Sequence, residues 1–246
     1  MNSFWAAIQF LTIFPTPLKG EVNDKVMGLA LMYFPLVGLL LGVVLLVLYQ
    51  ILILVLPAPI VFALLVAALA IFTGGNHIDG LIDSCDGIFG GKNREERLTI
   101  MSDARVGAFG VTGAVLLLLM KYVTIRSAPV LPALLLMPVL GRWAMTYVIF
   151  FFPYARGSGL GSSFKQEITW KKLAIASFLA LVPSVLLMTW KGIALLGFLC
   201  GIIFGIGRFI QSRIGGLTGD NYGAVNEIAE VLTLLLIIML DKLPYQ

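Results

Sequence analysis

The stretch GGNHIDGLIDSCDG, residues 74–87, sets one histidine and three aspartates directly after an apolar run. If the helix of that run continues through 76–87, Asp79, Asp83 and Asp86 are spaced i, i+4 and i+7, within a narrow stripe on one face. Three neighbouring carboxylates repel one another and are costly beside lipid unless something positive lies between them. A hard divalent cation is the natural neutraliser, and Mg²⁺ binds through a few carboxylates plus substrate phosphates. Asp103, in MSDARVG, is placed to close such a site from a neighbouring helix. Solvation of a helix end is the plainer reading, and like-charge stacking on one stripe argues against it. His77 is the only histidine of the chain. Its helical angle sets it roughly opposite the aspartates, so spacing does not make it a metal ligand. A hydrogen-bonding helix-end residue and a catalytic base both stay open for it.

A second acidic constellation lies in GAVNEIAEVL, where Asn226, Glu227 and Glu230 share a helix face. Glu230 falls roughly 15 Å into the last helix at about 1.5 Å rise per residue. An ionisable group at such depth is a functional candidate by default. Arg142 has a comparable depth in another span. It can pair with Glu227 or Glu230, or clamp a phosphate bidentately. Arg105, Arg156 and the run KNREER add positive charge suited to a phosphate-bearing substrate. Phosphoryl transfer rests on positioning and on neutralising oxygen charge, with metal ions and arginines as the usual means. No P-loop is present, so nucleoside triphosphate hydrolysis is not suggested. GSGLGSS, residues 157–163, is glycine-rich without the Lys-Ser/Thr ending and reads as a flexible loop.

The elements that must hold these residues are membrane helices. Of 246 residues, 59% are hydrophobic and only 12% charged, with a mean hydropathy of +0.99. Soluble domains carry about 25% charged residues, so the composition predicts an all-α polytopic membrane bundle, one domain over 1–246. Seven spans are expected, near 26–56, 58–82, 107–126, 129–152, 171–190, 192–212 and 221–240, with six the alternative count. The segment MNSFWAAIQFLTIFPTP lacks the basic start of a signal peptide and predicts an interfacial helix ending at Pro15 and Pro17. Cys85 and Cys200 are far apart and lack ligand spacing, so they are expected to be unpaired.

Charge orients the bundle. With the N-terminus inside, twelve lysines and arginines, Lys19 among them, fall at inside ends and three at outside ends, Arg126, Lys191 and Lys242. Lys121 and Arg142 lie within spans. This positive-inside bias puts every motif quoted above on the cytoplasmic side. The expected location is the cell (inner) membrane, multi-pass, with a cytoplasmic active face. The lipid bilayer is a partner, and the net charge of +4 is no sign of nucleic acid.

Taken together, FLTIFPTP, TGGNHIDGLIDSCDG, SDARVGAFG, YARGSGLG and GGLTGDNYGAVNEIAEVL resemble the cobalamin (5′-phosphate) synthase family, the adenosylcobinamide-GDP ribazoletransferases. The similarity spans nearly the whole chain, with the five motifs in the family's order. It implies a Mg²⁺-dependent membrane transferase that joins adenosylcobinamide-GDP to α-ribazole or α-ribazole 5′-phosphate and releases GMP, the last assembly step of cobalamin. Asp83, Asp86 and Gly87 also resemble the start of the CDP-alcohol phosphotransferase signature. Its Ala-Arg pair is missing after Gly87, and Gly107 stands at its final aspartate. The expected catalytic residues are Asp83, Asp86, Asp103 and Arg105. The expected metal ligands are Asp79, Asp83, Asp86 and Asp103. The expected substrate-binding residues are His77, Arg142, Tyr154, Arg156, Asp220, Asn226, Glu227 and Glu230. For Arg142 the clamp is favoured, because a wide site for two bulky substrates should stay wet enough to leave glutamates unpaired. An ion-coupled transporter and a membrane prenyltransferase are the rival readings. The first lacks inverted repeats here, and the second would show a second D-x-x-x-D run where this chain has N-E-x-x-E. Oligomeric state is undecided, with a homo-oligomer and contacts to other corrinoid-assembly enzymes both open.

Overall fold

The computed structural model describes residues 2–18, 23–157 and 159–242; Lys19 of the basic count and Ser158 of the glycine-rich segment lie outside them. In chain order the helices are α1 (Asn2–Leu11), α2 (Asp24–Ala30), α3 (Phe34–Leu52), α4 (Ala58–Phe72), α5 (Asn76–Gly90), α6 (Arg94–Ile100), α7 (Ala108–Ser127), α8 (Val130–Phe151), α9 (Leu160–Glu167), α10 (Trp170–Met188), α11 (Trp190–Ile214) and α12 (Gly219–Asp241). The expected all-α membrane bundle is what forms. Among the described residues six elements are long and apolar enough to cross a bilayer: α2–α3 as one run, α7, α8, α10, α11 and α12.

The seventh expected span is not one straight helix. α4 and α5 are bent by 87° across the short break at 73–75. Gly74 and Gly75 both have positive φ, 65° and 71°, a left-handed conformation that glycine adopts without steric cost. Two such residues end α4 and let Asn76 restart a helix in a new direction. α4 has 15 residues, about 22 Å at the usual rise, short of the ~30 Å hydrocarbon core. The aspartate helix is therefore a separate element, not the continuation of a span.

α8 is the central post. In its spanning window 83% of residues are buried, and in α12 67%, against 22–44% for the other spans. The apolar faces of those outer helices point outward, as lipid-facing helices require. Close packing of α3 on α8 depends on small residues: a Cβ at Gly42 would come within 2.8 Å of the Leu134 carbonyl oxygen, the small-residue mode of packing between membrane helices. α1 does more than lie at an interface. Ala6, Ala7, Ile8 and Leu11 are buried, and the Phe10 ring stacks on Phe34 and meets Phe164 edge-on, with centroids 5.8 and 4.9 Å away. GSGLGSS is only partly a loop, because Leu160–Ser163 form the first turn of α9. Lys165 on α9 donates to the Ile149 and Phe150 carbonyls at the end of α8, at 3.0 and 2.7 Å.

Candidate functional site

The ends of α8 and α11 and the starts of α7 and α12 meet α5 and α6 at one end of the bundle. α12 begins with a capping box, in which Asn221 N–H donates to Thr218 Oγ1 at 3.3 Å and Thr218 N–H to Asn221 Oδ1 at 2.9 Å. Asn221 Nδ2 also donates to Ser84 Oγ at 2.8 Å, which ties the start of α12 to the middle of α5. The chain after α8 is held to the chain before α12 by two backbone hydrogen bonds, from Ala155 N–H to the Leu217 carbonyl and from Leu217 N–H to the Pro153 carbonyl, each 2.8 Å. These attachments bring Arg156 against Asp220, with Nη2 to Oδ2 at 3.2 Å. Thr218 Oγ1 donates to the same carboxylate oxygen at 3.2 Å.

The basic run KNREER has a mainly architectural part here. Arg94 donates to the Ile214 and Ala155 carbonyls at 2.9 and 3.0 Å, and Arg97 to the Arg213 carbonyl at 3.0 Å. The Ile214 and Arg213 carbonyls close the C-terminal end of α11, where cations are favoured, and the Ala155 carbonyl belongs to the chain after α8.

Asp79, Asp83 and Asp86 share α5, as their spacing predicts, yet their carboxylates have different surroundings. Asp79 is exposed and lines a cavity of about 420 Å³, together with Asn76, His77, Tyr154, Arg156 and Asp220. Asp83, half-buried, lies in the field of Asp79, Asp220 and Asp86 on the negative side and Arg156 on the positive. Asp86 is 7% exposed, and its two oxygens accept from Gly107 N–H at 2.7 Å and Gly110 N–H at 2.8 Å. That is a carboxylate seated on the N-terminus of α7, where the helix dipole favours it. Asp103 turns to Arg105, with Nη2 at 2.6 Å from Oδ2. Hydrogen bonds from the Arg105 side chain and then its backbone hold the Asp103 carboxyl down at about 2.

The four carboxylates expected to hold one or two Mg²⁺ do not all converge. Asp86 is held by α7 and Asp103 by Arg105, and among the described residues no three His, Cys, Asp or Glu side chains form a group that could hold a metal ion. Among the described residues the two carboxylates left without a backbone-amide or arginine partner of that kind, Asp79 and Asp83, lie in each other's field and suit Mg²⁺ in kind. Their donors are hard carboxylate oxygens, and Mg²⁺ needs only one or two of them when phosphates supply the rest. Asp79 and Asp83 are the pair best placed to serve. A second, more open groove of about 690 Å³ runs along Leu98, Thr99, Ser102, Asp103 and Ala104, and Arg156 borders it as well.

Arg142, Asn226, Glu227 and Glu230 are brought together, but in the bundle interior. Arg142 and Glu230 are fully buried, and Arg142 Nη1 pairs with Glu230 Oε1. Lys121, from α7, completes the cluster, with Nζ 2.5 Å from Glu227 and 2.6 Å from Glu230. Asn226 Nδ2 donates to both glutamates at 3.3 Å. Two cations and two carboxylates leave the cluster neutral, the condition for holding charge in so dry a place. The structure thus sets Arg142 on a glutamate and away from either cavity lining. His77, 5% exposed, lies between, lining the 420 Å³ cavity on one side and within the field of Arg142, Glu230 and Lys121 on the other. Lys121 is the residue that motif reading passed over. Its signal was a single lysine at mid-span in α7, which at that depth calls for a partner. Cys85 and Cys200 are free, as expected.

The model of the cobalamin-5-phosphate synthase family matches residues 3–238. Among curated relatives, the adenosylcobinamide-GDP ribazoletransferase of Desulfitobacterium hafniense is 38% identical, over 96% of each chain. Those of Geotalea daltonii and Desulforamulus reducens are 36% and 39% identical; the first alignment covers 97% of both chains, the second 97% of this chain and 96% of its relative. No solved structure matches. A match over nearly the full length, with relatives well above 30% identity, establishes that the chain belongs to the cobalamin-5-phosphate synthase family.

Proposed function

We propose that this protein is a membrane adenosylcobinamide-GDP ribazoletransferase, joining adenosylcobinamide-GDP to α-ribazole or its 5′-phosphate at the end of the bundle where α5, α7, α8 and α12 meet. The observation that carries this reading is the convergence of Asp79, Asp220 and Arg156, from three separate segments, on one polar opening, with Asp83 in their electrostatic field. A hydroxyl of the ribazole ribose attacks the phosphorus nearer the corrinoid. The new P–O bond forms as the bridging P–O bond to the second phosphorus breaks, GMP departs with the electron pair, and the hydroxyl proton passes to a carboxylate of the site. Arg156 lies where negative charge builds on the phosphoryl oxygens, and its own partner Asp220 keeps it pointed there. When bound, Mg²⁺ would supply further neutralisation of the diphosphate, held by Asp79 and Asp83. Basic residues such as Arg94, Arg97, Arg156 and Arg213 gather at this end, which supports a cytoplasmic active face in the cell membrane. The whole described chain acts as one catalytic domain.

The test is direct. Purified protein in lipid nanodiscs receives adenosylcobinamide-GDP, α-ribazole and Mg²⁺, and GMP is measured alongside the corrinoid product. Stoichiometric GMP and cobalamin are expected. Pyrophosphate in place of GMP, or no cleavage at all, would point to prenyl-transfer or transport chemistry.

A further inference from the structure

The enclosed cavity and the groove along α6 open at this end of the bundle, and they differ in shape and lining. The 420 Å³ cavity is the more enclosed, walled by α1, α5, α8, α9 and α12. Cavities for small ligands run from about 300 to 1,000 Å³, so this one has room for a nucleoside and not for a corrin macrocycle carrying a nucleotide. Its inner wall is apolar and aromatic, built from Phe10, Met145, Ile149 and Phe164, with Phe10 and Phe164 in edge-to-face contact. Such a wall suits a flat, weakly polar two-ring base, since aromatic faces and a thioether both pack well on one. Its polar end carries Asp79 and Asp220, carboxylates that accept hydrogen bonds from pentose hydroxyls. The groove beside α6 lies open to one side and is lined mainly by small and polar residues, Thr99, Ser102 and Ala104 among them. A large ligand can lie across it with most of its bulk outside. Arg156 borders both spaces.

We infer that the enclosed cavity is the acceptor subsite. It takes the benzimidazole nucleoside base-first against Phe10 and Phe164, and the groove along α6 receives the GDP-activated corrinoid. The two substrates meet at Arg156. This deepens the functional reading above and rests on it. It also gives α1 a function: its residue Phe10 is part of the acceptor wall, so the N-terminal helix helps to select the base.

Steady-state kinetics in nanodiscs test the assignment. Phe10→Ala removes part of the wall, and Met145→Trp fills the space. Each should raise the KM for α-ribazole at least tenfold and leave the KM for adenosylcobinamide-GDP within twofold. Thr99→Trp, an exposed groove position, should do the opposite. Should Met145→Trp fail to fold, Phe10→Ala and equilibrium dialysis of α-ribazole against the wild-type and Phe10→Ala proteins decide the matter. A wild-type protein that releases GMP, but whose Phe10→Ala form loses affinity for the corrinoid and keeps it for α-ribazole, overturns the subsite alone. A wild-type protein that releases no GMP overturns the functional reading, and the subsite with it.

Discussion

Asp83 sits where the charges of the open site meet, with Asp79, Asp86 and Asp220 on one side and Arg156 on the other. Its neighbours Asp86 and Asp103 already have strong partners in the Gly107 and Gly110 amides and in Arg105. Asp83 is therefore the carboxylate best placed to respond to substrate or cation. Asp83→Asn should lower turnover at least about 100-fold, the equivalent of ~2.7 kcal/mol of barrier, while leaving thermal stability in detergent close to wild type. Near-normal turnover of this variant at limiting Mg²⁺ would remove Asp83 from the site. The buried cluster predicts the reverse pattern. Lys121→Met leaves Glu227 without its 2.5 Å partner, and breaking a buried pair on one side costs about 3–5 kcal/mol. Its melting temperature should fall sharply, and adding Glu227→Gln should recover much of the loss. A Lys121→Met protein that melts like wild type would show that the cluster has little part in stability.

At the scale of elements, the break between α4 and α5 decides where the aspartates point. A Cβ at Gly75 would meet nothing within 4 Å, so the cost of a side chain there is purely one of backbone conformation. Gly75→Ala should destabilise the protein by about 1–2 kcal/mol, the penalty for an L-residue in left-handed conformation, and Gly75→Asn by less, since asparagine visits that region more readily. Thermal unfolding of the three proteins in one detergent reads this ranking. Identical melting would mean that the break does not depend on this residue. α6 acts on the same end of the bundle through Arg94 and Arg97, whose side chains reach more than a hundred residues ahead to the last carbonyls of α11. Arginines in a basic run invite a role in phosphate binding. Here Arg94 Nε and Nη2 and Arg97 Nη1 are already engaged with backbone carbonyls.

For the whole molecule, the arrangement is a buried α8 and α12 surrounded by helices that face lipid, with polar chemistry at one end. Topology is its broadest testable consequence. Ser212, near the end of α11, and Ser127, at the end of α7, are both exposed and lie at opposite ends of the bundle. With Cys85 and Cys200 replaced by alanine, Ser212→Cys should react with a membrane-impermeant maleimide only in inverted vesicles, and Ser127→Cys only in right-side-out ones. The opposite labelling would place the open site outside the cell.

Composition was enough to establish a helical membrane protein, because lipid tolerates few alternatives to long apolar helices. Spacing was enough to put Asp79, Asp83 and Asp86 on one helix, since helical periodicity is local. What those carboxylates touch was not legible. Asp86 meets the start of α7, a choice set by how α5 and α7 approach one another, while Asp103 turns to Arg105 two residues on in the same loop. The same holds for Arg142. Its depth suggested either a partner or a substrate, and only the packing of α12 beside α8 set its Nη1 on Glu230. The 87° turn after α4 was written in Gly74 and Gly75, yet two glycines permit a turn without requiring one, and packing against α12 and α7 selects the bent form. Local periodicity and solvent preference thus determined the elements and the residue types at the site. The close approach of helices distant in sequence decided which of those residues face the open cavity and which are spent on holding the bundle together.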